Sequence, residues 1–321
     1  MSNILITSAG RRVELVNSFK TECAKLNKKL KVFCTDLNPE LSSACKVADL
    51  YFHAPKVTNK EYIGFLKKIC ADNSIVVIIP TIDNELLTLA EHREEFLKLG
   101  INIIISDTSL IKACSNKNLT ADLLNKIDIK TPDIYEKKKL TYPCFVKPYD
   151  GSCSIGAFIL NNESMLTADI SDNPKNMFME LVPNSYDEYT VDIYFDKLGE
   201  LKSLVPRFRI ETRAGEISKG VTSKGIVYDY LKDKLQNLKG VRGCINLQIF
   251  VNLKKKLFKA IEINPRFGGG YPLSYAAGAN FPKMIIQEYI LNEDINFVDD
   301  WVDNLLMLRY DSNVFVNDYK S

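Results

Sequence analysis

The chain has 321 residues with 46% apolar content, enough for about two domains around a real core. Its 42 Lys and Arg nearly balance 40 Asp and Glu, which removes the bulk charge that would draw nucleic acid or an anionic membrane. Eight cysteines stand singly at 23, 34, 45, 70, 114, 144, 153 and 244 without a C-x-x-C pair, and the only histidines are His53 and His92. That pattern excludes a zinc site, a disulfide framework and a histidine-rich metal centre.

The opening segment MSNILITSAG has too short an apolar run for a secretory signal, and no stretch approaches the ~20 apolar residues of a membrane span. A reduced, cytoplasmic protein acting on small molecules is expected. Apolar, β-branched runs at 3–9, 30–36, 74–81 and 101–106 read as buried strands. They alternate with helical patterns at 11–27, 59–71 and 84–98, so residues 1–110 predict a doubly wound parallel α/β domain. A polar helical stretch at 108–126 follows. A glycine loop then separates two strand-like runs in 142–160, a hairpin pattern within a small subdomain spanning 111–178. From 179 to 321, adjacent β-runs with turn signals between them give an antiparallel grammar, with a helix at 282–291 and a closing strand at 304–311. The fold class is therefore mixed, α/β followed by α+β.

The most informative segment is CINLQIFVNLKKKLFKAIEIN, which reads as two strands joined through a basic turn near Lys255. Side chains alternate faces along a strand. Ile245, Leu247, Ile249, Val251, Leu257, Ile261 and Ile263 then share an apolar face, and Asn246, Gln248, Glu262 and Asn264 the other. Symmetry about Lys255 sets Gln248 opposite Glu262 and Asn246 opposite Asn264. Mg²⁺ favours such oxygen donors, with one or two carboxylates and nucleotide phosphates completing the shell. The plain alternative is a half-solvated hairpin. Arg266 and three glycines follow immediately.

In FVKPYDGSCSIG, glycines allow close backbone approach to phosphate, and Ser152 and Ser154 add hydroxyl donors. It is no Walker loop, since G-x-x-x-x-G-K-[ST] is absent. Lys147 ends the preceding β-run and is placed to reach phosphates. At the end of MFMELV, the extended backbone of Glu180, Leu181 and Val182 suits pairing with an adenine edge, and Glu188 suits a ribose hydroxyl.

Taken together, Lys117 in CSNKNLTADLL, FVKPYDGSCSIG, MELV, DEYTVD, NLQIF and EINPRFGGGYPLSYAAGANFP resemble the ATP-grasp superfamily. The likeness is to the branch of the carbamoyl phosphate synthetase large subunit and related carboxylate–amine ligases, over about residues 1–290. The resemblance implies three parts: an N-terminal α/β domain, a small subdomain covering the nucleotide, and a C-terminal subdomain carrying the metals. It implies ATP with Mg²⁺ or Mn²⁺ as cofactors. Lys117 and Lys147 would contact phosphates beneath a mobile loop holding Ser152 and Ser154. Glu180 and Val182 would bracket the adenine edge and Glu188 the ribose. Gln248, Glu262 and Asn264 would hold the metal, with Arg266 on the transferring phosphoryl group. Gln248 stands where many relatives carry glutamate, and Cys153 interrupts the loop serines. Relatives often form dimers, so a homodimer is implied.

For the acceptor, ITSAGRRVELV lacks G-x-G-x-x-G, which weakens a dinucleotide reading with Asp36 as its ribose acid. The resemblance implies that this domain helps bind substrate instead, with Arg11 on an anionic group; a turn and helix start explain that segment equally. Asp83 and Glu85 follow a strand at the edge where open α/β sheets bind ligands, although helix capping explains them equally. Basic groups near a glycine-bearing turn, Arg213 and Lys219, are candidates for phosphate or a substrate carboxylate. The expected activity is an ATP-dependent ligase that activates a carboxylate as an acyl phosphate and joins it to an amine. Bicarbonate or formate as the acid, or a nucleotide-binding regulator without turnover, are the alternatives.

Overall fold

A computed structural model describes residues 2–26, 29–151, 155–213 and 215–317. Strands β1 (Asn3–Ile6), β2 (Val32–Asp36), β3 (Leu50–His53), β4 (Ile75–Ile79) and β5 (Asn102–Ile103) form a parallel sheet in the order β3-β2-β1-β4-β5. Strand β3 has no counterpart among the expected strands. Its four residues are half-buried or exposed and lack a long apolar run. The helical pattern at 84–98 is two helices, Asp83–Glu91 and Arg93–Lys98, meeting at His92. The stretch at 108–126 also divides, because Asn116 caps the second helix, Lys117–Lys126, by accepting from the amides of Asn118 and Leu119.

A four-stranded antiparallel sheet follows: β6 (Ile134–Tyr135), β7 (Cys144–Pro148), β8 (Phe158–Leu160) and β9 (Asn176–Glu180), ordered β6-β9-β7-β8. The third sheet holds β10 (Asp187–Phe195), β11 (Leu201–Arg213), β12 (Glu216–Thr222), β13 (Gly243–Asn252), β14 (Leu257–Asn264) and β15 (Leu306–Leu308). Its order is β14-β13-β10-β11-β12-β15, with antiparallel pairing throughout. Among the described residues, no helix is long and apolar enough to cross a membrane.

The first and third sheets share one contiguous core that runs from Ile4, Ile6 and Val77 through the helix Val13–Lys25 to Val191, Leu247 and Phe281. Gly243, at φ +70, packs its bare α-carbon against Ile104; an added Cβ would lie 2.5 Å from the Ile104 Cγ2. The four-stranded sheet has its own small core of Cys144, Val146, Leu160 and Phe178.

The β13–β14 hairpin has the expected pairs, Gln248 opposite Glu262 and Asn246 opposite Asn264. The turn-proximal half differs. Ile249 pairs with Ala260, so Ile261 is an extra residue on β14, a β-bulge. On the turn side of the bulge the faces exchange: Ala260 is buried and Phe258 packs on the core, whereas Leu257 is 47% exposed. Leu257 and Ile261 therefore do not share the core face with Ile263.

On the same sheet face, beside the hairpin's polar row, lies a buried ion pair. Asp192 accepts from Arg207 Nε at 2.8 Å and Nη2 at 3.0 Å, and from the Ser274 hydroxyl at 2.6 Å. Removing one partner of such a pair leaves an uncompensated charge. Asp192→Ala should therefore lose about 3–5 kcal/mol in urea unfolding. Adding Arg207→Met should recover most of that loss, and a double variant as unstable as the single one would refute the pairing argument.

Candidate functional site

The hairpin's polar face looks onto two lysines from the small subdomain and its leading helix. Lys147 sits near the end of β7, and Lys117 opens the helix Lys117–Lys126, its ammonium donating to the Gly151 carbonyl at the mouth of the glycine loop. Burial and, after it, neighbouring Lys117 push the Lys147 ammonium down to about 8 against the opposing Glu262. A buried ammonium beside another cation is an electrostatic vacancy for polyphosphate. On the hairpin, Asn264 Nδ2 donates to Glu262 Oε1 at 3.1 Å and to Asn246 Oδ1 at 3.4 Å. The sequence-predicted Lys117, Lys147, Gln248, Glu262 and Asn264 are thus brought together.

Among the described residues, no three His, Cys, Asp or Glu side chains gather to hold a metal unaided. One carboxylate, Glu262, flanked by the amides of Gln248 and Asn264, suits a hard cation that shares its shell with phosphate oxygens. The residues present therefore fit Mg²⁺ held jointly with a nucleotide.

Glu188 forms an ion pair with Arg209 at 2.9 Å. Burial raises the Glu188 carboxyl, Arg209 opposes, and Glu262 adds to the rise, which sets Glu188 at the margin of the same group. Beside the lysines a narrow apolar crevice is lined by Ile134, Met177, Met179, Ala260 and Ile261. The bulge that displaced Ile261 from the core face is what delivers it here. At the crevice's edge, Glu180 accepts from Lys259 and from the Asp133 amide at 3.2 Å. The backbone of Leu181 and Val182 has no hydrogen bond among the described residues, so both amides and carbonyls remain available to a planar ligand edge.

Arg266 carries the site across to the N-terminal domain. Its Nε and Nη2 grip Asp83 at 3.0 and 2.6 Å. Asp83 begins the helix after β4, beside β1, where the strand order reverses and open α/β sheets bind ligands. Arg12, which donates to the Thr81 carbonyl at 3.0 Å, lies alongside; burial and then Arg266 push its guanidinium down to about 10. Arg309 donates to Glu216 at 2.9 Å and to the Gly269 carbonyl at 2.5 Å, and Arg11 stands 3.9 Å from Glu216.

The glycine triplet after Arg266 is explained by what presses on it. A Cβ on Gly269 would lie 2.7 Å from the Glu216 carboxyl, and one on Gly270 2.3 Å from Arg207 Nη1. Side chains from the sheet occupy the space that larger residues would need.

Three expected residues stand apart from the Glu262 group. Glu85 is fully buried and accepts from Ser8 Oγ and Tyr62 Oη, both at 2.9 Å, and from the amides of Thr81 at 2.8 Å and Ile82 at 3.2 Å. It caps the helix and braces the loop after β1, and has no surface for a substrate. Arg213 pairs with Asp311 at 2.5 Å and Lys219 with Glu211 at 2.6 Å; among the described residues neither bonds to the Glu262 group. Ser152 and Ser154, with Cys153, lie outside the described residues. Sequence reasoning missed Arg12, Arg309, Arg209 and Glu216 as site-forming residues. Arg12 adjoins the nominated Arg11, but no short spacing links Arg309 to the glycines it touches.

Residues 172–304 match the family model described as ATP-grasp in the biosynthetic pathway with Ter operon, and residues 4–104 the model described as PylC-like, N-terminal domain. No curated protein sequence matches the chain. N5-carboxyaminoimidazole synthetase from Staphylococcus aureus superposes with TM-score 0.70 at 17% identity, covering 95% of this chain and 81% of that one. The biotin carboxylase domain of 2-oxoglutarate carboxylase from Hydrogenobacter thermophilus, solved with MgADP, ADP and bicarbonate, gives 0.73 at 14% identity, covering 94% and 73%. L-amino acid ligase from Bacillus licheniformis gives 0.65 at 14% identity, covering 90% and 74%. At these identities the likeness establishes the fold.

The depressed Lys147 has a measurable consequence. With its pKa pushed down to about 8, this ammonium is partly deprotonated near pH 8, and bound phosphates would raise its pKa. Calorimetry of ADP binding in buffers of different ionisation enthalpy should show net proton uptake near pH 8 that fades toward pH 6. Lys147→Arg should bind ADP without that uptake; equal uptake in wild type and variant would refute the assignment.

Proposed function

We propose that this chain, an ATP-grasp protein by its fold and by the family model over residues 172–304, is an ATP-dependent carboxylate–amine ligase. The observation that carries the reading is the hairpin register: Glu262, Gln248 and Asn264 share one patch facing Lys117 and Lys147. The nucleotide's adenine would occupy the Met177–Met179 crevice, with its edge on the backbone of Glu180 to Val182 and its ribose toward Glu188. Mg²⁺ would be held by Glu262, with Gln248 and Asn264 as further donors, and would neutralise phosphate charge when bound.

The chemistry follows from position. A substrate carboxylate oxygen attacks the γ-phosphorus, the bond to the β–γ bridging oxygen breaks, and ADP leaves with an acyl phosphate formed. An amine then attacks the acyl carbon, an amide bond forms as phosphate departs, and the amine loses a proton. Such a sequence needs alignment and charge neutralisation more than proton transfer from histidine. Arg266 is placed to receive the transferring phosphoryl group once it exchanges Asp83 for that anion. Arg11, Arg12 and Arg309 supply cationic surface on the acceptor side, where the substrate carboxylate would dock. The small subdomain would close over the phosphates and keep water from the acyl phosphate.

A second reading, bicarbonate as the acid, draws support from two of the similar structures, a carboxyaminoimidazole synthetase and a biotin carboxylase domain. The same nucleotide site would serve it.

Screening amino acids and other carboxylates in pairs with amines should reveal a combination that releases ADP and phosphate stoichiometrically with amide. Glu262→Ala should lower that rate by about 10²–10³-fold, the scale of losing one principal electrostatic element of a transition state. ADP release that needs bicarbonate and gives a carboxylated amine would select the second reading. Turnover unchanged by the Glu262 substitution would overturn both.

A further inference from the structure

A cavity of about 260 Å³ opens away from the nucleotide cleft, on the other side of the seam between the first and third sheets. The N-terminal domain contributes the helix Arg93–Lys98 and β5; the third sheet contributes Lys197, Arg242 and the π-helical turn Gln287–Leu291. None of these residues belongs to the site described above. The volume falls just below the roughly 300–1,000 Å³ of drug-sized pockets, so the fitting ligand is small.

Its chemistry divides into three parts. At one end stand two guanidiniums. Arg242 donates to Asp107, and Arg93 lies 3.6 Å from the same carboxylate oxygen, so two cations share one counter-charge. Exposed Glu94 comes no closer to Arg93 than 3.9 Å. At another point Glu288, only 3% exposed, accepts from the Lys197 amide and from Tyr194 Oη at 3.1 Å, leaving one lone pair on each oxygen. Between them, Leu97 and Ile103 give an apolar floor. Interruptions of an α-helix by a π-turn recur at functional sites, and Glu288 lies on one.

We propose that this cavity is a second binding site, for a free α-amino acid: its carboxylate on Arg242 and Arg93, its ammonium toward Glu288, its side chain on Leu97 and Ile103. A carboxylate would take the guanidinium N–H groups that the shared Asp107 leaves free, in charge-assisted bonds. An ammonium would take the free lone pairs of Glu288, which Lys197 alone now faces as a counter-charge. The walls come from both sheets of the shared core, so an occupant would bear on the seam between them and not on the nucleotide cleft. The site is therefore regulatory in position rather than catalytic, and its existence does not depend on the ligase reading.

Thermal-shift and calorimetric titration of the full chain with each of the twenty amino acids tests this, with acetate, inorganic phosphate and leucinamide as controls. At least one amino acid should bind in the absence of nucleotide, and leucinamide, lacking the carboxylate, should not. Arg242→Met should weaken that binding about 10- to 100-fold, the worth of a hydrogen bond to a charged group, while ADP binding is unchanged. Leu97→Trp, at a half-exposed position that fills the cavity and breaks no ion pair, should do the same. The proposal fails if no amino acid binds, if phosphate or acetate binds as well as the amino acid, or if binding survives both substitutions. It fails too if Arg266→Met, rather than Arg242→Met, removes the binding, which would place the amino acid in the acceptor site.

Discussion

The pairing of β13 with β14 is the constraint on which the rest depends. One side of the hairpin is cemented into the shared core by Ile245, Leu247, Ile249 and Val251, all fully buried. The other side then has no choice but to present Asn246, Gln248, Glu262 and Asn264. A register slip of one residue would exchange the two faces and bury the acid. Burial of the apolar row thus fixes the chemistry of the polar one. The pair Arg207–Asp192 continues that polar row across the sheet, and its crowding of Gly270 shows how tightly the loop after Arg266 is held.

Much of this was legible because it is written in short range. Alternation within twenty residues gave the hairpin, and the pairs at its site end follow from counting out from Lys255. The bulge at Ile261 was not legible, because an extra residue leaves both strands apolar enough to read as regular. Asp83 and Glu85 show the limit of local pattern. Two residues apart after one strand, they look alike in sequence, yet one pairs with Arg266 across a domain boundary and the other is a buried brace. Which way each points is decided by Ser8, Tyr62 and Thr81, groups between four and seventy-seven residues distant. For Arg213 and Lys219 local pattern likewise did not show their partners, the carboxylates Asp311 and Glu211. Arg309 was invisible because only the fold brings the last strand beside the glycine triplet.

The electrostatics of the cleft share one theme. Lys147 is depressed by burial beside Lys117, Arg12 by burial beside Arg266, and Glu188 is raised by burial near Glu262. Each group is held in a state that an oppositely charged ligand would relieve. Like charges are kept in proximity by a scaffold whose stability comes from elsewhere, which is the usual signature of sites built to receive ions.

The separate cores bear on how the cleft can open. The first and third sheets are fused through a continuous apolar seam, pinned where Gly243 meets Ile104, so they form a single chassis. The four-stranded sheet rests on a handful of buried side chains of its own and touches the chassis mainly along the methionine-lined crevice. An opening that leaves the chassis intact would therefore be a displacement of that flap, against sulfur-bearing contacts that rearrange easily.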